Sequence, residues 1–245
     1  MDIKKVCIMS PEARVTVIEE NCKKVGIEVS KVSIEGDLEE LRDTDLLIDQ
    51  SYGDINIKER IVRKVERVIS EKTILASNPF LLSVTQIASF TKRRGNVIGF
   101  LSPFYSGINN FAEIVVGVET SEETCQSLEK FLGKIDFTYV KSKDSAGFVL
   151  NRVLASMINE AIYVYSYGLA PIESIDQMMK LAANFPLGPL EYADEIGLDN
   201  ILNLLTILVK ELGPKYRPCP LLARKVEAGH LGKKSGRGFY EYNSK

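Results

Sequence analysis

The chain has 245 residues, 45% of them hydrophobic and 26% charged, with a net charge of −2 and a pI of about 5.7. That balance suits one large or two modest globular domains and excludes a polycationic nucleic-acid binder. No apolar run reaches the roughly 18 residues of a membrane helix, and the start, Met1-Asp2-Ile3-Lys4-Lys5, lacks a signal-peptide core, so a cytoplasmic protein with neither nucleic acid nor membrane as partner is expected.

The first half alternates. Lys4 to Met9 predicts a buried strand and Pro11 to Val25 a helix, with Ser10 as cap, Pro11 in the first turn and Gly26 as stop. Ile27 to Val32 is a second strand, and this order predicts a parallel pair with a right-handed crossover. A helical turn follows at Leu38 to Leu41, a strand at Asp45 to Asp49 and an amphipathic helix at Ile55 to Ile69. Thr73 to Ala76, Asn96 to Phe100, Ala112 to Val116 and Thr138 to Val140 read as strands, and Ser83 to Phe90 and Ser121 to Leu132 as helices. Lys92-Arg93-Arg94, the longest basic cluster, reads as a solvated loop.

From Phe148 the pattern changes to long helical periodicities: Gly147 to Tyr167, Ile172 to Ala183, Pro189 to Ile196, Leu198 to Leu212 and Leu221 to Ala228. The tail ends in Gly-Phe-Tyr-Glu-Tyr, a sequence suited to tying down a terminus. An alternating α/β part up to about residue 143 and an all-helical remainder are expected. Cys7, Cys22, Cys125 and Cys219 lie far apart without a CxxC pair, which predicts reduced buried thiols and no metal site.

Several segments share a further pattern. Asp144-Ser145-Ala146-Gly147-Phe148-Val149-Leu150-Asn151-Arg152 is an acidic turn followed by Gly-Phe-x-x-Asn-Arg. Ile158-Asn159-Glu160-Ala161, Asp176-Gln177-Met178-Met179-Lys180, Asn184-Phe185-Pro186-Leu187-Gly188-Pro189-Leu190 and Asp194-Glu195-Ile196-Gly197-Leu198-Asp199 follow in order, then Arg217-Pro218-Cys219-Pro220 and Gly232-Lys233-Lys234-Ser235-Gly236-Arg237-Gly238-Phe239-Tyr240. Their number and spacing over residues 73 to 242 resemble the 3-hydroxyacyl-CoA dehydrogenases; residues 3 to 32 fit the family's first strand–helix–strand by hydrophobic pattern. The resemblance implies a Rossmann-like, mostly parallel sheet domain over 1–143 and a helical C-terminal domain over 144–245 that forms the family's dimer interface. It places the chain in fatty-acyl-CoA metabolism. It also shows an absence: the family's long helical excursion after the second strand, which helps hold acyl-CoA, is reduced here to a short link between Val32 and Asp45.

The same template exposes departures. Where the family has G-x-G-x-x-G, whose glycines let the backbone approach a pyrophosphate, this chain has Ser10, Glu12 and Val15, and Ser33 stands at the ribose-binding acidic position, with Glu35 close by. The family's proton-abstracting histidine corresponds to Leu101, after Val97-Ile98-Gly99-Phe100, while Glu113 keeps the position that orients it. In Ser77-Asn78-Pro79-Phe80, Asn78 is kept, as the candidate cofactor-binding residue that the resemblance implies, but Phe80 replaces the serine that meets the substrate oxygen. Asn151 keeps the fourth polar catalytic position, with a helix-capping or domain-bridging role as the alternative. Phe80, Leu101, Phe104 and Tyr105 either bind an acyl chain or close as core, and Tyr105 and Ser102 are the candidate substitute bases. The only histidine, His230, falls in the tail.

Sequence alone therefore favours a dehydrogenase-like protein without normal NAD-dependent activity and with no cofactor. It would be a binding or assembly relative that pairs with itself or with a paralogue through apolar helices such as Ile201 to Val209. The alternatives are an active NAD-dependent oxidoreductase of 3-hydroxyacyl-CoA with altered residues, and an acyl-CoA-binding module.

Overall fold

The computed structural model describes residues 1–10, 16–36, 38–51, 53–102 and 110–242. They form two compact units that divide between Phe148 and Val149.

The first unit is built on a seven-stranded sheet: β1 (Lys5–Met9), β2 (Glu28–Val32), β3 (Leu46–Asp49), β4 (Ile74–Ser77), β5 (Val97–Leu101), β6 (Phe111–Val116) and β7 (Thr138–Lys143), in the order β2-β1-β3-β4-β5-β6-β7. All neighbours run parallel except β5 and β6. The central strands are buried on both faces, which is why they read as unbroken apolar runs rather than alternating ones. One face packs Ile8, Ile48, Ile98 and Ile114 against helices α1 (Thr16–Lys24) and α4 (Glu122–Lys134). The other packs Leu47, Leu75, Val97 and Leu101 against α2 (Ile55–Glu66) and α3 (Val84–Ala88). Gly99 permits that second contact, since a Cβ there would stand 2.7 Å from Val84 Cγ2 and 2.8 Å from Val115 Cβ.

Capping fixes where the helices begin. Asp54 accepts from Asn56 N at 2.9 Å and Ile57 N at 3.0 Å. Asp144 accepts from Thr85 N at 2.7 Å and Ser83 Oγ at 2.8 Å at the start of α3, and Phe148 is buried in the same core. These contacts carry the first unit past residue 143, where the sequence suggested a division. Between β2 and β3 the only helical element among the described residues is the 3-10 turn Glu39–Leu41.

The second unit contains α5 (Leu150–Ser166), α6 (Ile172–Ala183), α7 (Pro189–Ile196), α8 (Leu198–Leu212) and α9 (Pro220–Glu227). Two buried aspartates explain much of its motif pattern. Asp176 accepts from Leu190 N (2.8 Å), Glu191 N (2.9 Å) and Tyr240 OH (2.8 Å), placing negative charge on the N-terminus of α7. Asp194 accepts from Phe239 N and Tyr240 N, both at 2.8 Å, and from Tyr242 OH at 3.0 Å, which ties down the tail. A Cβ at Gly238 would overlap the Asp194 carboxylate, so that contact requires glycine. Burial pushes both carboxyls above the usual carboxylate range.

The sequence pointed to α8 as a greasy partner surface. Its Ile201, Leu204, Leu205 and Leu208 are instead buried within the unit. The exposed large apolar residues of this unit are Val149 before α5, Val153 in its first turn, Tyr167 and Leu169 after it, and Met178 and Leu181 on α6. No helix among the described residues is long and apolar enough to cross a membrane.

Candidate functional site

The sheet order places a topological switch between β1 and β3: the chain steps from β1 outward to β2, then returns to build β3 on the other side of β1. In open α/β sheets ligands bind in the crevice outside the carboxyl ends of strands at such a point. Here that crevice is bordered by Met9 at the end of β1 and by Asp49, Gln50 and Ser51 at the end of β3, with Ser77 and Asn78 ending the neighbouring β4.

A buried ion pair holds the ends of β3 and β4. Lys58 Nζ donates to Asp49 Oδ2 at 2.9 Å, to Ser51 O at 2.6 Å and to Ser51 Oγ at 2.9 Å, with Ser77 Oγ at 3.4 Å. Ser77 Oγ donates to the same Asp49 oxygen at 2.6 Å, and both charged side chains are 1% exposed. All three ammonium protons are satisfied, which is the condition for keeping such a charge out of water. The ion pair is a clamp on two strand ends, with no open valence toward a ligand.

Gln50 is different. Its backbone N–H continues the ladder to Met9 O at 2.8 Å. Its side chain is 4% exposed, yet neither Nε2 nor Oε1 has a hydrogen-bond partner.

The antiparallel pairing of β5 and β6 sets Leu101 directly opposite Glu113. Such residues share a face with Cβ atoms roughly 4.5–5.5 Å apart. Glu113 is 1% exposed, and Leu101 packs in the core with Val84 and Phe148. The two positions that the sequence paired as base and orienter are therefore neighbours in space. Asn78 and Phe80 share one turn: Asn78 Oδ1 accepts from Phe80 N at 3.1 Å, and Phe80 has the left-handed φ of 50°. Ser102 Oγ donates to Phe111 O at 3.0 Å. Ser33 and Glu35 are exposed, linked by a weak contact from Glu35 N to Ser33 Oγ at 3.4 Å. Ser10 is half-buried after β1, while Glu12, Val15, Phe104 and Tyr105 lie outside the described residues. Asn151 and His230 belong to the second unit: Asn151 is buried in the first turn of α5, and His230 N donates to Lys225 O in a turn.

Sequence reasoning missed Lys58, Asp49, Ser51, Ser77 and Gln50. A signal was present, because Lys58 sits on the apolar stripe of α2 with Ile61, Val62 and Val65, where a lone cation needs a buried partner. Three of the cysteines are poor thiolates: burial raises the thiols of Cys7 and Cys125 and pushes that of Cys22 up to about 11. No cluster of three or more metal-ligating side chains occurs among the described residues.

Residues 9–145 match the family model of the 3-hydroxyacyl-CoA dehydrogenase NAD binding domain, and residues 147–242 match that of the 3-hydroxyacyl-CoA dehydrogenase C-terminal domain. A protein of Bacillus subtilis (strain 168) described as "Probable 3-hydroxybutyryl-CoA dehydrogenase" is 44% identical over 89% of this chain and 76% of its own length. The 3-hydroxybutyryl-CoA dehydrogenase of Clostridioides difficile is 43% identical over 88% of this chain and 77% of its own. The crystal structure of (S)-3-hydroxybutyryl-CoA dehydrogenase from Ralstonia eutropha superposes with a TM-score of 0.89 at 31% identity, covering 99% of this chain and 100% of that one.

These findings correct two expectations. That the chain lacks a cofactor is overturned by the NAD-binding domain model and by the dehydrogenase relatives. The residues fit such a group: a parallel switch point ends in a buried carboxamide with both polar atoms unpaired. The replacements at Ser10, Glu12 and Val15 concern the segment after β1, whereas the ends of β3 and β4 form a separate border of the crevice. That the chain is a relative without normal activity is overturned by the 37–44% identity to 3-hydroxybutyryl-CoA dehydrogenases across most of its length. With both domain models matched in order and that identity maintained across them, the chain belongs to the 3-hydroxyacyl-CoA dehydrogenase family.

Proposed function

We propose that the protein is an NAD-dependent oxidoreductase that interconverts a 3-hydroxyacyl-CoA and the corresponding 3-oxoacyl-CoA, with 3-hydroxybutyryl-CoA as its class of substrate. The observation that carries this reading is the 44% identity to a 3-hydroxybutyryl-CoA dehydrogenase of matching domain order. NAD, when bound, supplies the hydride acceptor. The chain's own task is to position the hydroxyl and remove its proton. Leu101 has no exchangeable proton, so we assign proton acceptance to Glu113, the carboxylate opposite it on β6. Asn78 holds the β4 turn, and the Asp49–Lys58 pair fixes the ends of β3 and β4 that border the crevice. The deciding assay is oxidation of NADH by acetoacetyl-CoA: turnover supports the reading, and its absence in folded protein sinks it.

The reading includes assembly. A second copy of the chain covers Tyr167, Leu169, Met178 and Leu181, large apolar side chains left exposed on the helical unit. Sedimentation at micromolar concentration is expected to give the dimer mass; a strict monomer would remove this part of the proposal.

A further inference from the structure

Among the described residues, the unpaired carboxamide of Gln50 is the one buried polar side chain at the switch point that the fold leaves unexplained. Strand alternation gives its direction. Leu46 and Ile48 face the α1 and α4 side, while Leu47 faces the α2 side. Asp49 turns to α2 through Lys58. Gln50 continues the ladder through its bond to Met9 O, so its side chain turns back to the α1 side, where the chain leaves β1. There it sits beside β1, at the crevice where a dinucleotide crosses a parallel sheet.

Burying an amide without partners costs stability. The neighbouring Asp49, Ser51 and Ser77 hydroxyl and carboxylate groups are all paired with one another or with Lys58, so the fold satisfies polar groups here where it can. A carboxamide offers two donors and one acceptor. Bare phosphate only accepts. A ribose hydroxyl beside a phosphate both donates and accepts, and would occupy both ends of the amide.

We propose that Gln50 is a cofactor-binding residue, its side chain hydrogen-bonding the ribose–diphosphate portion of the nicotinamide dinucleotide in the β1–β3 crevice. This deepens the reading of the protein as an NAD-dependent enzyme and rests on it. In this chain the contact would supply affinity that the replaced glycine fingerprint does not.

The test uses the full-length protein, with NADH as probe. Gln50→Leu and Gln50→Met are compared with wild type by calorimetric titration and by thermal unfolding of the cofactor-free protein. Each variant removes the orphaned polar atoms but keeps side-chain bulk. The expected result is a split: higher Tm without cofactor, and NADH affinity lowered about tenfold, the loss of one to two hydrogen bonds. Unchanged NADH affinity in both variants would overturn the inference, because Gln50 would then be filler. Affinity and Tm falling together would overturn it as well, since that marks a packing role. Failure of wild type itself to bind NADH would remove the NAD-dependent reading and this inference together, whereas wild-type binding that both variants retain removes only the role of Gln50.

Discussion

Leu101→His is expected to raise kcat for 3-hydroxybutyryl-CoA oxidation at least about tenfold, less than the roughly 10²–10⁴-fold of a base introduced where none stands, because Glu113 already accepts the proton. The register of β5 and β6 puts the new imidazole opposite the Glu113 carboxylate, which would orient the ring and stabilise its cationic form. An imidazole, with a reference pKa near 6.5, is well matched to proton abstraction at neutral pH. The variant's rate should therefore acquire a titration between about pH 6 and 8, rising as the imidazole loses its proton. Adding Glu113→Gln should remove most of the gain, because the ring would lose the group that orients it. The NADH dissociation constant should stay within about twofold in all three proteins, since neither position lies at the β1–β3 crevice. Leu101 is a core residue, so Tm must be followed in parallel; a folded variant with unaltered kcat would show that position 101 does not face the reacting carbon.

Lys58→Met is expected to destabilise the first unit by about 3–5 kcal/mol, the cost of leaving a buried charge without its partner. Asp49 would keep the hydroxyls of Ser51 and Ser77 but lose the ammonium, at 1% exposure. Asp49→Leu combined with Lys58→Met should cost clearly less than Lys58→Met alone, because no unpaired charge then remains. Urea unfolding followed by far-ultraviolet dichroism measures both. A single-variant loss below about 1 kcal/mol would mean that water reaches the pair and that it is no clamp. Because the pair joins the ends of β3 and β4, the single variant should also weaken NADH binding, through displacement of the strand ends rather than through a lost contact.

Much of the fold was legible because local signals agreed with tertiary demand. Strands buried on both faces read as unbroken apolar runs, and α6, α7 and α8 begin and end on the residues that periodicity and punctuation marked. The reversal at β6 was not legible, since strand direction is set by connection and packing rather than by composition. It matters because it creates the Leu101–Glu113 pair. The exposed apolar set was misplaced for a related reason. Every helix of the second unit is apolar-rich, and only packing decides that α8 is enclosed while Met178 and Leu181 on α6 are not.

Less of the site was legible. Leu101 and Glu113 pair across β5 and β6, and Asn78 and Phe80 share the turn after β4, two separate neighbourhoods. Lost glycines and a lost histidine mark replaced residues only and say nothing of the parts of the crevice built by the ends of β3 and β4. Asp49, Gln50 and Lys58 lie in segments that read as ordinary strand and helix, and only the packed structure shows that two of them are paired and the third is not.

The most direct measurement is NADH oxidation by acetoacetyl-CoA with the purified wild-type chain, followed by absorbance, with Glu113→Gln alongside. Saturable turnover by wild type, reduced at least 10²-fold in Glu113→Gln with NADH binding retained, is the result this account predicts. No turnover by a folded, NADH-binding wild-type protein would contradict it.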